Sequence, residues 1–384
     1  MTVNGQRLAA APEGVVAGVV GMGARAIRDG GELPGPRLPS ILGTTDSAAL
    51  AVVGGWLMTD LVDVTSDLTA LESEGWWAVV LPFDSPPICA RFATVRPARP
   101  WPGPAWEGPA ASAWESSLDE GKFCAGVEAI RESIAAGDVY QVNLTRRLSA
   151  PLTGRARPED HDVAALGAAL GAGNPAPYSA VVRIPSIGCH VASASPERFL
   201  RRDGRTVASS PIKGTAATPD EFLAKDRAEN VMIVDLVRND LGRVCEWGSV
   251  EVPALCAVEP HPGLVHLVST VTGRLRAGVG WADIVAATFP PGSVTGAPKL
   301  AALDVIARLE PVPRGVYCGA VGWVDADRSC GDLNVAIRTF WIEDGRLHLG
   351  TGGGITWDST PAGEWAETEL KAHRLLQVAS RPEA

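Results

Sequence analysis

The stretch Pro211-Ile212-Lys213-Gly214-Thr215 holds one lysine in a frame of apolar, glycine and proline residues. A lysine kept away from water sheds its proton readily, and its amine then serves as a nucleophile. The plain alternative is a solvated charge in a turn, the commoner fate of lysine. Glu229 is a second candidate. It shares a helical face with Met232, Ile233 and Leu236, at i, i+3, i+4 and i+7. A carboxylate on an apolar stripe is costly unless it is paired or holds a cation. It is therefore a glutamate at the stripe's edge, an ion-pair partner of a nearby arginine, or a metal ligand. Glu367 and Lys371 stand four apart on a terminal helix, a spacing that on a bare helix means a surface ion pair. The run Gly352-Gly353-Gly354 interrupts a strand pattern. Three glycines permit close backbone approach to a ligand, and a bulge or tight corner is the alternative.

The elements that position these residues can be read from periodicity and punctuation. Phe123, Val127, Ile130 and Ile134 predict a helix over Glu120 to Ala136, closed by Gly137. Helices are also expected over Asp220 to Leu241, Trp281 to Thr288 and Pro361 to Val378. Another opens within Pro290 to Lys299 and runs to Leu309, with Ser293 and Thr295 as candidate caps and Pro298 in the first turn. Free N–H groups at such a start can bind an anion, though most bind none. Strands are expected at Ala48 to Leu57, Trp76 to Pro82, Val139 to Leu148, Ser179 to Ile184, Val191 to Leu200 and Arg205 to Ala208. Later ones are Ser249 to Val252, His266 to Arg274, Gly315 to Val324, Asn334 to Glu343 and Arg346 to Gly350. Hairpins mix with segregated helices and no regular βαβ alternation appears, so the class is α+β, antiparallel sheets with flanking helices.

The chain has 384 residues, which suggests more than one core. A Pro/Trp-rich segment, Arg96 to Trp114, reads as a linker or strap, and the boundary is placed there: residues 1–112 as a divergent N-terminal region, 113–384 as a catalytic domain. Gly21-Met22-Gly23-Ala24 lacks the third glycine of a dinucleotide turn and reads as a loop or helix start. A net charge of -10 without a Lys/Arg cluster argues against a nucleic-acid partner. It also means that an anionic substrate needs local cations, N–H groups or a metal. Seven scattered cysteines without a CxxC suggest neither a disulfide framework nor a zinc site and fit a reducing cytoplasm. Met1 to Leu8 shows no signal-peptide pattern, and the uncharged run Ser47 to Thr59 is too short to span a bilayer.

Several strings taken together resemble the chorismate-utilising enzymes, a family that includes anthranilate, aminodeoxychorismate, isochorismate and salicylate synthases. They are Tyr140 to Leu144, Ser195 to Phe199, Pro211 to Thr215, Ala228 to Asn230 with Val234 to Arg243, His266 to Ser269, Thr295 to Lys299, Ala336 to Arg338 and Gly352 to Ile355. Each is weak alone. Their order over about residues 120 to 378 is specific. The resemblance implies the anthranilate synthase component I-like chorismate-binding fold. It also assigns two discriminating positions. The place of Lys213 looks like alanine in anthranilate synthases and lysine in aminodeoxychorismate synthases. The place of Gln141 is a water-activating lysine in isochorismate and salicylate synthases, and glutamine cannot serve as that base. The pair therefore points to the aminodeoxychorismate branch, towards p-aminobenzoate.

The same resemblance implies the remaining roles. Glu229 and Glu367 would hold Mg²⁺, which takes few protein oxygens. Lys213 would attack C2 of chorismate, with Glu197 as general acid and base and His266 near the leaving hydroxyl. Arg338, Tyr317 and the backbone of Gly352, Gly353 and Gly354 would receive a substrate carboxylate, and Lys371, Ser293, Thr295 and Gln141 would line the same pocket. The plain alternatives are an exposed strand-end glutamate for Glu197, a buried hydrogen-bonded histidine for His266 and a strand-edge arginine for Arg338. No G-x-C-x-G glutaminase stretch is present, so ammonia is expected from a separate glutamine amidotransferase subunit. Asn174 to Tyr178 matches a tryptophan-binding turn of the family, while Ala70 to Ser73 matches its partner motif only in part. Two other readings stay open: a C2-aminating anthranilate or aminodeoxyisochorismate synthase, and an idle partner that binds chorismate or the amidotransferase.

Overall fold

The computed structural model describes residues 48–152, 162–216, 218–261 and 264–381. The Gly21–Ala24 reading and the chain start lie outside them. In chain order the elements are β1 (Leu50–Val53), β2 (Trp56–Thr65), β3 (Trp76–Leu81), β4 (Ile88–Pro97), β5 (Glu115–Ser116), α1 (Glu120–Ala135), β6 (Gln141–Pro151), α2 (Val163–Gly173), β7 (Tyr178–Ile184), β8 (Cys189–Ser195), β9 (Arg198–Asp203), β10 (Thr206–Ser210) and β11 (Ile212–Ala216). They continue as α3 (Ala224–Gly242), β12 (Glu251–His261), β13 (Leu264–Arg274), α4 (Trp281–Thr288), β14 (Gly296–Ala297), α5 (Lys299–Leu309), β15 (Ala320–Asp325), β16 (Cys330–Val335), β17 (Thr339–Glu343), β18 (Arg346–Ile355) and α6 (Pro361–Ala379). All these strands join one hydrogen-bonded antiparallel network, so the α+β class holds.

The composition break near residue 112 does not separate two cores. β1 pairs with β7, and β3 pairs with β15. Met58, Trp77 and Val79 share an apolar cluster with Leu200, Val237, Trp281 and Val324. Strands on both sides of the Pro/Trp-rich segment each supply one apolar face, and neither set covers itself alone.

Several elements differ from the expectation, each for a local reason. Ala48 to Leu57 is two strands, because Gly54 and Gly55, both at positive φ, make a two-residue hairpin. Val191 to Leu200 breaks at Pro196, which has no N–H for a ladder. Asn334 to Glu343 breaks at Arg338, whose φ is 50°. Gly315 to Val324 becomes a strand only from Ala320. Neither Ser293 nor Thr295 caps α5; its cap position is Pro298. Helix α2 was not expected, because its Ala/Gly/Leu sequence carries no polar face and hence no period; Asp162 caps it.

Packing positions the site. An isolated helix of α1's length is marginal in water. Burial of Phe123, Val127 and Ile130, about 1.5–3 kcal/mol each, fastens it to the layer containing β6 and β18. Helix α3 is pinned to β13 by Asn230, whose Nδ2 donates to Leu267 O at 3.1 Å. Ser269 Oγ in turn donates to Asn230 Oδ1 and accepts from Cys256 N of β12 at 2.8 Å. This fixes the rotation of α3 one residue from Glu229.

Candidate active site

Lys213 sits on β11 where the pairing with β13 slips, between Ile212↔Val268 and Thr215↔His266. Gly214, at φ +87°, supplies the left-handed residue that this irregularity needs. The side chain is 15% exposed, and its Nζ stands 4.0 Å from Glu229 Oε2. Glu229 projects from α3, where burial pushes its carboxyl up and Lys213 partly opposes that.

Strand β18 forms the floor. The glycine run does not interrupt it: Gly352, Gly353 and Gly354 pair with Thr145, Leu144 and Asn143 of β6. None of the three is at positive φ, and the need for glycine is room. A Cβ at Gly353 would lie 2.8 Å from Glu364 Oε2. One at Gly354 would overlap Gln141 Nε2 and lie 3.2 Å from Lys213 Nζ. The missing side chains thus open the space into which Lys213, Gln141 and the α6 carboxylates point. Gln141 is buried, and its Oε1 has no hydrogen-bond partner among the described residues.

Glu367 and Lys371 do form the i, i+4 ion pair, at 2.6 Å and about half exposed. The pair also belongs to the floor, because Lys371 Nζ donates to Gly352 O at 2.9 Å. Burial acts to raise the Glu367 carboxyl, but Lys371, with Lys213 and Lys225, outweighs it and holds the group below its usual range. Sequence reasoning missed Glu364, one turn earlier on α6. It accepts from Ser359 Oγ at 2.6 Å, and burial pushes its carboxyl up, with the charges of Glu367 and Glu229 adding to that. The spacing of Glu364 and Glu367, i and i+3 on one face, was the available signal.

Glu197 lies in the gap between β8 and β9 and is 4% exposed. Burial pushes its carboxyl up to about 7, against a hydrogen bond from Ser293, the charge of Lys213 and the Ile212 backbone. An exposed strand-end glutamate is excluded. A cavity of about 20 Å³ borders Glu197 and Ser293, with Ser209, Asp240 and Thr288 in its wall; Lys213 and Glu229 do not line it. His266 is buried on β13, opposite Thr215 of β11 and Glu259 of β12.

Arg338 occupies the kink between β16 and β17 in a left-handed conformation that arginine seldom adopts. Burial pushes its guanidinium down, and no carboxylate contributes beside it. Such a group suits an incoming anion. Tyr317 lies on the neighbouring backbone, since Cys318 N donates to Ala336 O at 3.0 Å. Its ring covers Gly350, and burial raises the phenol well above its usual range. Thr295 is fully buried, and its hydroxyl is spent on Pro291 O and Gly292 O. The structure thus brings together Lys213, Gln141, Glu229, Glu367, Lys371 and the glycines, and the charge of Lys213 reaches Glu197, which shares a cavity with Ser293. It does not turn the Thr295 hydroxyl towards them.

Two glutamates from different helices, with Glu364 near both, make an oxygen donor set that fits a hard cation. Among the described residues no cluster of three or more ligating side chains is already assembled. A Mg²⁺ ion, which keeps water and substrate oxygens, needs no such cluster. No helix among the described residues is long and apolar enough to cross a membrane.

Anthranilate synthase component 1 of Streptomyces coelicolor is 45% identical over 283 residues, 71% of this chain and 54% of that protein. Aminodeoxychorismate synthase component 1 of Klebsiella aerogenes is 42% identical over 279 residues, 69% of this chain and 59% of that protein. The matched part is thus a little over half the length of these relatives. Among solved structures, anthranilate synthase component I of Streptococcus pneumoniae superposes with a TM-score of 0.69 at 24% identity, covering 96% of this chain and 100% of that one. The menaquinone-specific isochorismate synthase of Escherichia coli gives 0.73 at 18% identity, covering 88% and 90%. These structures support the fold alone. The profile of the chorismate binding enzymes matches residues 91–377, and the chain belongs to that family.

Proposed function

We propose that this chain is the chorismate-aminating component of an aminodeoxychorismate synthase, forming 4-amino-4-deoxychorismate from chorismate and ammonia. The observation that carries the reading is the Lys213 amine, set between Glu229 and the space over Gly354. With its lone pair free, Nζ attacks C2 and both ring double bonds shift as the C4 oxygen departs. Protonated Glu197 gives that oxygen its proton, so water leaves. Ammonia then adds at C4, the shift reverses, and the C2–N bond breaks with its electron pair returning to Lys213. The new ammonium passes a proton to the Glu197 carboxylate, which restores the acid. Two displacements through an adduct replace one difficult substitution.

Arg338 would receive one substrate carboxylate by a two-point contact. Glu229 and Glu367 would hold Mg²⁺, which when bound draws charge off the other carboxylate as a Lewis acid. Ammonia would come from a separate glutamine amidotransferase subunit, with ammonium salts as a substitute in vitro.

A second reading, amination at C2 to anthranilate or aminodeoxyisochorismate, is favoured by the 45% identity to an anthranilate synthase component. Chorismate, Mg²⁺ and ammonium salt with chromatographic identification of the product separates the two. C4 amination is expected. A C2-aminated product would overturn the first reading, and no turnover by folded protein would leave only binding.

A further inference from the structure

Arg314 lies outside every motif used above and is 4% exposed. Its guanidinium makes a two-point contact with Glu310, Nε to Oε2 at 2.8 Å and Nη2 to Oε1 at 2.7 Å. The remaining donors reach two backbone carbonyls, Nη1 to Val294 O at 2.8 Å and Nη2 to Asn143 O at 2.8 Å. Glu310 continues the chain of bonds, accepting from Thr145 N at 2.8 Å and Thr145 Oγ1 at 2.9 Å. Burial works against the charge of Arg314, but Glu310 more than offsets it and keeps the group charged. Asp84 holds the backbone N–H of Arg314 at 2.6 Å, and Phe83 covers the guanidinium plane.

The two carbonyls belong to the two sides of the site. Val294 follows Ser293, which lines the same cavity as Glu197. Asn143 is two residues from Gln141 on β6, and its own N–H donates to Thr295 O at 2.7 Å. The loop bearing Ser293 is a single short turn, Gly292–Val294, with no side-chain cap. Backbone bonds to β6 begin only at Thr295, through Asn143 N–H and the β14 pairing, so they leave the position of Val294 and Ser293 to a further contact. A planar guanidinium with donors in fixed directions supplies it, and lysine cannot reproduce that fork.

We propose that the buried Arg314–Glu310 pair is the positioning device that seats Ser293 against Glu197. Its consequence for catalysis rests on the reading of Glu197 as acid and base. Ser293 donates to the carboxylate and so favours ionisation, alongside Lys213 from β11. Among the described residues that line the same cavity, the other charged groups are Arg198, paired with Asp332, and Asp240 of α3, paired with Lys299. Both are engaged elsewhere. Release of the Ser293 loop therefore removes a bond that no neighbour replaces, and the pH at which Glu197 ionises rises.

The test is a double-mutant cycle on the full chain with chorismate, Mg²⁺ and ammonium, using Arg314→Lys, Ser293→Ala and the double variant. Glu310→Gln serves as a near-isosteric second route should Arg314→Lys fail to fold. Each single variant is expected to lower kcat by roughly tenfold or more with KM for chorismate within about threefold. Each should also move the alkaline limb of the kcat–pH profile upwards. The double variant should be no worse than the worse single one, because both remove the same bond. Effects that multiply independently, or an unmoved pH limb in a folded Arg314→Lys or Glu310→Gln protein, would overturn the proposal. Glu197→Gln is the control. Retained turnover there would fault the reading of Glu197, whereas its loss together with a multiplicative cycle would fault the brace alone.

Discussion

The Nζ of Lys213 and the Oε2 of Glu229 face each other at 4.0 Å, from β11 and α3 respectively. That separation is within electrostatic reach but beyond a hydrogen bond. Neither group is therefore consumed by the other. The amine and the carboxylate each remain open to a further contact from the space between β11 and α3.

Lys213→Ala should abolish C4 amination, with a loss of at least about 10³-fold in kcat, since no other amine replaces the nucleophile. Product chromatography is the check, and appearance of a C2-aminated product is compatible with the loss. Full retention of C4 amination would remove Lys213 from the mechanism.

Glu197→Gln should cost roughly 10²–10⁴-fold in kcat, the usual worth of a positioned acid and base. The wild-type profile should fall on the alkaline side near pH 7, because burial raises the carboxyl to about 7 and the acid form is needed for the departing hydroxyl. A flat profile through that region would contradict the assignment.

The same residue makes a stability prediction. Its folded pKa, about 7, lies above the ordinary 4.5. The folded state then binds the extra proton between those values, so stability is full at low pH and lost as pH rises through 7. Glu197→Gln removes that loss and should stabilise the fold by up to about 3 kcal/mol at pH 8 and by nothing at pH 4. Thermal melts of both proteins at the two pH values check it, and an equal difference at both would refute it.

Glu229→Gln and Glu367→Gln should each raise the Mg²⁺ concentration needed for half-maximal activity by about 10–100-fold. Direct calorimetric titration of Mg²⁺ into the protein should show the same order. Unchanged metal dependence in either variant would place the ion elsewhere.

Gly354→Ala should fold and lose activity. The added Cβ meets only side-chain atoms among its three nearest, Gln141 Nε2 and Cδ and Lys213 Nζ. These can move, but only out of the reacting space. Gly322→Ala is the contrast, because its Cβ would press on the Asp332 backbone of β16 and should destabilise the fold. Melting temperature and kcat measured on both should separate the two effects.

The helix bearing Glu229 was legible from the face shared by Met232, Ile233 and Leu236, whereas in the one bearing Glu367 the legible feature was the Glu367/Lys371 spacing, and its buried face is Thr368, Ala372, Leu375 and Ala379. The frame around Lys213 was legible as a motif, but not its direction, which depends on a register slip against β13, a strand that begins about fifty residues later. Glycines misled in both senses. Gly54 and Gly55 looked like part of a strand and make a turn, whereas Gly352 to Gly354 looked like a break and lie inside β18. Composition cannot distinguish a glycine needed for φ from one needed for room. Glu364 and Arg314 escaped notice because their importance lies in what they touch across the fold.

The most direct test is intact-mass analysis of the protein quenched after mixing with chorismate and Mg²⁺ without ammonia. The account predicts a species heavier by chorismate less one water, mapped to the peptide containing Lys213 and absent from Lys213→Ala. Unmodified protein throughout, from a preparation that aminates C4 once ammonium is added, would contradict it.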